Sequence, residues 1–131
     1  MKKACDLDGT LARYDGMEIF EYDPKRVGSP IIKMVNRVKR WLANGDEVVI
    51  FTARVHPKHG LSNIAMAEKA IKEWCKAVIG RELEITCMKD PEIQEFWDDK
   101  AIRVGRDNGN LEVYVEKPEE GDGSIPHDLL R

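Results

Sequence analysis

The chain has 131 residues, of which 42% are apolar and 34% charged, and a formal net charge of −3. This length suits one domain around one moderate core, the composition is that of an ordinary globular chain, and the acidic balance argues against a generic nucleic-acid-binding surface while leaving a local basic groove open. No apolar run approaches the length of a membrane span, and "MKKACDLDG" reaches acidic residues too early for a secretion signal. Three cysteines, Cys5, Cys75 and Cys87, are odd in number and lack CxxC spacing. They read as reduced, mostly buried thiols of a cytoplasmic protein.

In chain order, "KKACDL" reads as a short buried strand, and residues 12–29, with Gly16, Pro24 and Gly28, as a loop or small flap. "SPIIKMVNRVKRWLANG" predicts a helix with Ser29 as cap, Pro30 in the first turn and Gly45 at the end. Ile31, Met34, Val35, Val38, Trp41 and Leu42 form its apolar stripe. "EVVIFTAR" is a continuous apolar run, as expected of a parallel strand. After the loop "VHPKHG", "SNIAMAEKAIKEWCKAVIG" predicts a second helix, facing inward through Ile64, Ala67, Ile71, Trp74 and Val78. "LEITC" is a third strand, and "DPEIQEFW" reads as a short helix capped by Asp90 that runs into a strand end at Trp97. "AIRV" and "LEVYV" predict further strands around the turn "GRDNGN". The domain is read as residues 1–115, with 116–131 a loosely held tail rich in Pro, Gly and acid.

This alternation predicts an α/β fold with a mainly parallel sheet and helices on both faces. In such sheets ligands bind at the carboxyl ends of the strands. Asp6 and Asp8 follow the first strand, Thr52 and Arg54 the second, Lys89 the third, and Asp98 and Asp99 the next segment. One edge therefore gathers four acids, a hydroxyl and two cations. Carboxylates without a His or Cys cluster point to a hard cation, usually Mg²⁺, bound by one or two carboxylates, water and a substrate phosphate. A remaining carboxylate can attack phosphorus and another can shuttle protons. The residues alone suggest metal-assisted phosphoryl transfer.

"DLDGTL" resembles the first motif of the haloacid dehalogenase-like (HAD) hydrolases, D-x-D-G-[TV]-[LV]. Thr52 in "VVIFTAR", Lys89 in "CMKDPE" and Asp98-Asp99 in "FWDDKA" match the later motifs in order, so the resemblance covers roughly residues 3–104. More narrowly, it resembles small uncapped HAD-like proteins of phages and bacteria. It implies a three-layer Rossmann-like HAD fold and a Mg²⁺-dependent phosphatase. In that scheme Asp6 is the nucleophile that becomes an aspartyl-phosphate, and Asp8 is the general acid/base, whose backbone carbonyl also meets the metal. Thr52 binds a phosphoryl oxygen, Lys89 holds nucleophile and phosphate together, and Asp98 and Asp99 anchor Mg²⁺ with Asp6. Asp99 is preferred over Asp98 as the direct ligand. Gly9, Thr10 and Ala53 belong to the expected phosphate-binding group, with Gly9 allowing a tight turn whose N–H groups face the phosphate.

Other readings compete at several positions. Thr52 can be a strand-end residue tied to backbone, and Arg54 either a phosphate ligand or a solvated surface residue. Lys89 is preferred over Lys100, Lys76 and Lys72 because it follows a strand and shortly precedes the acidic pair. His56 and His59 read as loop residues near the mouth, Cys5 as a structural thiol, and Trp41, Trp74 and Trp97 as core. The gaps of 44 positions from Asp8 to Thr52 and 37 from Thr52 to Lys89 leave no room for a substantial cap. An open site suits a large substrate or a lid borrowed from a second copy of the chain. The pattern also resembles the phosphatase domain of phage polynucleotide kinase-phosphatases, which makes a nucleotide or a nucleic-acid 3′-phosphate end the expected substrate, with Lys25, Arg26, Arg54, Lys58 and His59 as a candidate rim. The alternative is a non-catalytic HAD-fold binding or regulatory module. A dehalogenase would need neither Asp8 nor a Mg²⁺ site.

Overall fold

The computed structural model describes residues 1–14 and 22–114; part of the expected flap, the end of "LEVYV" and the 116–131 tail lie outside them. The elements are β1 (Lys2–Asp6), α1 (Ile32–Ala43), β2 (Glu47–Phe51), α2 (Leu61–Val78), β3 (Glu84–Thr86) and β4 (Ile93–Trp97), with two 3₁₀ turns, Ala53–Val55 and Pro57–His59, between β2 and α2. The four strands form one all-parallel sheet in the order β3-β2-β1-β4, so the α/β expectation holds. No helix of the described residues is long and apolar enough to cross a membrane.

Strand alternation sorts the core. Cys5 lies opposite Ile50 and Lys3 opposite Val48, so these side chains share a face. On it α1 packs Met34, Val35, Val38 and Trp41, and α2 packs Ile71 and Cys75, one turn apart, in a single cluster with Cys5, Leu7, Val48 and Ile50. Burial pushes the Cys75 thiol up to about 12 and the Cys5 thiol higher still, so both remain neutral packing groups, as expected. Trp41 stacks against Trp97 at 4.9 Å between ring centroids.

Among the described residues both helices pack on this face, and no helix packs on the opposite one. That opposite face gathers Ala4, Val49, Phe51 and Ile93. β3 ends beside Phe51, whereas β4 starts beside Lys2 on the far side of β1. The short connection 87–92 must therefore run from one end of the sheet to the other. Lys2, on the Ala4 face by alternation, donates to Asp90 at 2.8 Å and lies 3.3 and 3.7 Å from Glu47 and Glu84. This cluster pins the connection to that face, holding Asp90 below and Lys2 above their ordinary pKa values. The helix expected over "DPEIQEFW" is thus a turn followed by β4. Asp90 does accept the Glu92 N–H at 2.8 Å, but this cap closes a turn, because pairing with β1 stretches residues 93–97 into a strand.

The α1 start also shifts. Ile31 occupies the N-cap with no side-chain cap bond, in place of Ser29. Residues 29–31 are drawn into an antiparallel pairing with 11–13: the Arg13 N–H donates to the Ser29 carbonyl and the Ile31 N–H to the Leu11 carbonyl, each at 2.8 Å. That pairing keeps Pro30 extended. A Cβ on Gly28 would fall 1.9 Å from the Arg13 carbonyl oxygen. Gly28→Ala is expected to destabilise the fold by about 2–3 kcal/mol, read as a lower urea midpoint. Among the described residues, "AIRV" and "LEVYV" pair through a single bridge between Val104 and Leu111. A two-stranded arm without a third strand sustains little regular ladder.

Candidate functional site

The carboxyl ends of β1, β2 and β4 surround a cavity of about 350 Å³. Asp6, Asp8 and Gly9 enter it after β1, Phe51 to Ala53 after β2, and Asp98 to Lys100 after β4, with Tyr14 also on the wall. β1 and β4 bound the position where the chain reverses its direction of travel across the sheet, the usual ligand crevice of parallel folds.

Asp6, Asp98 and Asp99 each place one carboxylate oxygen within 4.8 Å of the others. Burial first, then the Asp98 charge, a hydrogen bond with Asp99, and the charges of Asp99 and Asp8 push the Asp6 carboxyl up to about 7. Thr10 is buried and links the group: its hydroxyl lies 3.3 Å from Asp6 Oδ2 and 3.0 Å from Asp99 Oδ1, donating to one of them at a time, and accepts the Asp99 N–H at 2.9 Å. Asp98 closes its own turn by accepting the Lys100 N–H at 2.7 Å. An all-oxygen set with excess negative charge fits a hard divalent cation.

Gly9 serves this cluster more than it serves a phosphate. Its φ is +91°, and an added Cβ would lie 2.7 Å from Asp99 Oδ2, so glycine is what lets Asp99 close on β1. The Gly9 N–H is bonded to the Ala12 carbonyl at 2.8 Å and the Thr10 N–H to the Leu7 carbonyl at 3.3 Å. These two N–H groups are engaged within the turn and do not point to a phosphate. Thr10 acts here through its hydroxyl, as a brace for Asp6 and Asp99.

After β2, Thr52 is 3% exposed and its hydroxyl accepts the Arg54 N–H at 3.1 Å. It both caps the turn, as a strand-end residue tied to backbone does, and lines the cavity. Arg54 departs from the solvated reading of it. It is buried rather than solvated, and its guanidinium grips Asp8 through Nε to Oδ2 and Nη2 to Oδ1, both at 2.8 Å. Asp8 was expected to meet the metal through its backbone carbonyl; its carboxylate stands outside the acidic trio, engaged by Arg54.

Lys89 is not among the cavity-lining residues. It is exposed, with its Nζ 5.5 Å from the Phe96 ring centroid, and Phe96 stacks edge-on against Phe51 at 5.4 Å. Because the 87–92 connection leaves toward the far face, the lysine on the wall is Lys100, the immediate neighbour of Asp99. Of the expected rim, Lys25, Arg26 and Lys58 are exposed and His59 is half-buried against Tyr22 at 5.0 Å. The brace role of Thr10 escaped sequence reasoning, and Lys100 was weighed there only as second to Lys89. The signal for Lys100 was its adjacency to the acidic pair.

Comparison with protein-family models gives no match to this chain, and searches of curated proteins and of solved structures give none.

Proposed function

We propose that this chain is a Mg²⁺-dependent phosphomonoesterase of HAD-like architecture that works through phosphorylated Asp6. The observation that carries this reading is the convergence of Asp6, Asp98 and Asp99 from two adjacent strand ends on one cavity wall. The order of motif residues along the chain and the strand order 3-2-1-4 support it. Asp98 and Asp99, with one oxygen of Asp6, would hold Mg²⁺, which supplies the positive charge that lets a carboxylate approach a phosphate dianion.

The other Asp6 oxygen attacks phosphorus. The bond from phosphorus to the leaving oxygen breaks, and that oxygen takes a proton from Asp8. A water then attacks the aspartyl-phosphate, giving its proton to Asp8 as the bond from phosphorus to the Asp6 oxygen breaks, which releases phosphate and regenerates the carboxylate. The Thr52 hydroxyl donates to a phosphoryl oxygen, and Lys100 offsets its charge from the wall. The open cavity, with Phe51 and the 41% exposed Phe96 beside it under Lys89, suits a nucleotide or a nucleic-acid 3′-phosphate end.

A second reading, a non-catalytic binding module, draws on one observation: both Asp8 oxygens are already taken by Arg54. Phosphate release with Mg²⁺ separates the two. The panel is p-nitrophenyl phosphate, nucleotides, sugar phosphates and a 3′-phosphorylated oligonucleotide, with Asp6→Asn as control. Turnover that disappears in the control supports the phosphatase. Silence across the panel with Mg²⁺ still bound favours the binding module.

A further inference from the structure

Arg54 is a charged side chain only 4% exposed, in a position where burial is costly unless its N–H groups find acceptors. They do. Beyond the forked pair with Asp8, Nη1 donates to the Arg26 carbonyl at 2.6 Å, and the guanidinium lies 5.5 Å from the Tyr22 ring centroid. Its backbone is fixed by the Thr52 hydroxyl. The segment that supplies Tyr22 and Arg26 is itself tied down, since the Gly28 carbonyl accepts the Trp74 indole N–H from α2 at 3.0 Å. Arg54 is thus held from three sides, and two parallel N–H···O bonds fix both the position and the plane of the Asp8 carboxylate.

We propose that Arg54 is a positioning residue for the proposed reaction: it locks the Asp8 carboxylate in the one orientation that serves the leaving oxygen, and transmits to Asp8 the seating of residues 22–28. This inference rests on the phosphohydrolase reading above. A lysine cannot take over, because a single ammonium cannot fork onto both carboxylate oxygens and reach the Arg26 carbonyl as well.

The test compares two aryl esters, p-nitrophenyl phosphate and phenyl phosphate. Phenoxide, with a conjugate acid near pKa ~10, needs a proton on departure far more than nitrophenoxide does. Arg54→Ala is expected to lower kcat/KM for the nitrophenyl ester about tenfold but for the phenyl ester about 10³-fold, the differential expected of displaced acid catalysis. Arg54→Lys, which retains the charge and guards against a failure of the alanine variant to fold, should reproduce the unequal loss. Guanidinium ion added to Arg54→Ala should recover part of the phenyl ester activity. Equal losses on the two esters would overturn the positioning role and leave the phosphatase intact. A wild type inert toward every phosphomonoester would remove both. Independently of turnover, the Arg54 Nε–H should be protected from solvent exchange by NMR and lose that protection in Asp8→Asn; an unprotected Nε–H in the wild type overturns the inference.

Discussion

Asp6→Asn is expected to reduce phosphate release by roughly 10⁴-fold or more, the scale at which loss of a nucleophile abolishes covalent catalysis, while making the cation-free protein more stable. The two effects share one cause. Asp6 is part-buried beside Asp98 and Asp99, and its carboxyl is raised to about 7 first because burial strips water from the charged form and then because ionising it sets like charges against each other. Asparagine keeps the shape and an acceptor for the Thr10 hydroxyl, but it carries no charge and cannot attack phosphorus. A merely structural acid would show the opposite pattern, with stability lost and activity only dented. Thermal melts above pH 7 without divalent cation, run beside the phosphate assay, read both signs. Residual turnover near the wild-type level would remove Asp6 as nucleophile.

Divalent cation should reverse the penalty that Asp6→Asn removes. In the folded chain Asp6 binds its proton more tightly than in the unfolded chain, about 7 against an ordinary 3.8. Between these values the folded state holds the extra proton, so stability from this group is fully present below pH ~4, falls as pH rises toward ~7, and stays low above it. With Mg²⁺ at a hundredfold excess over its Kd, the fold gains about 2.7 kcal/mol, or roughly 10 °C in melting temperature for a chain of this size, and the decline between pH 4 and 7 flattens. EDTA should abolish turnover and Mg²⁺ restore it. A melting temperature indifferent to Mg²⁺ at pH 8, together with turnover that survives EDTA, would discard the metal assignment.

Much of the architecture was legible from local pattern. The run "EVVIF" could only be a strand buried on both sides. The stripe from Met34 to Trp41 and the spacing of Ala67, Ile71 and Trp74 could only be helices against a sheet. Asp6 stood at the end of an apolar run and Asp98-Asp99 followed a segment read as ending in a strand, so a parallel sheet was expected to bring them to one edge. Such features depend on residues a few positions apart, where side-chain period and backbone preference act directly.

The misreadings all involve partners distant in the chain. Asp90 and Pro91 begin a turn as readily as a helix, and it is pairing with β1 that makes 93–97 a strand. Ser29 had capping chemistry, but residues 11–13 claimed its segment first. Arg54 reaches Asp8 across 46 positions and Thr10 reaches Asp99 across 89. Lys89 follows a strand as expected, yet the connection after it turns to the far face of the sheet, and Lys100 stands on the cavity wall instead. The kinds of groups at this edge follow from which residues end the strands, because strand ends are local. Their pairings follow from the way the whole chain packs, since a buried cation or carboxylate settles on whichever partner packing brings within hydrogen-bond reach.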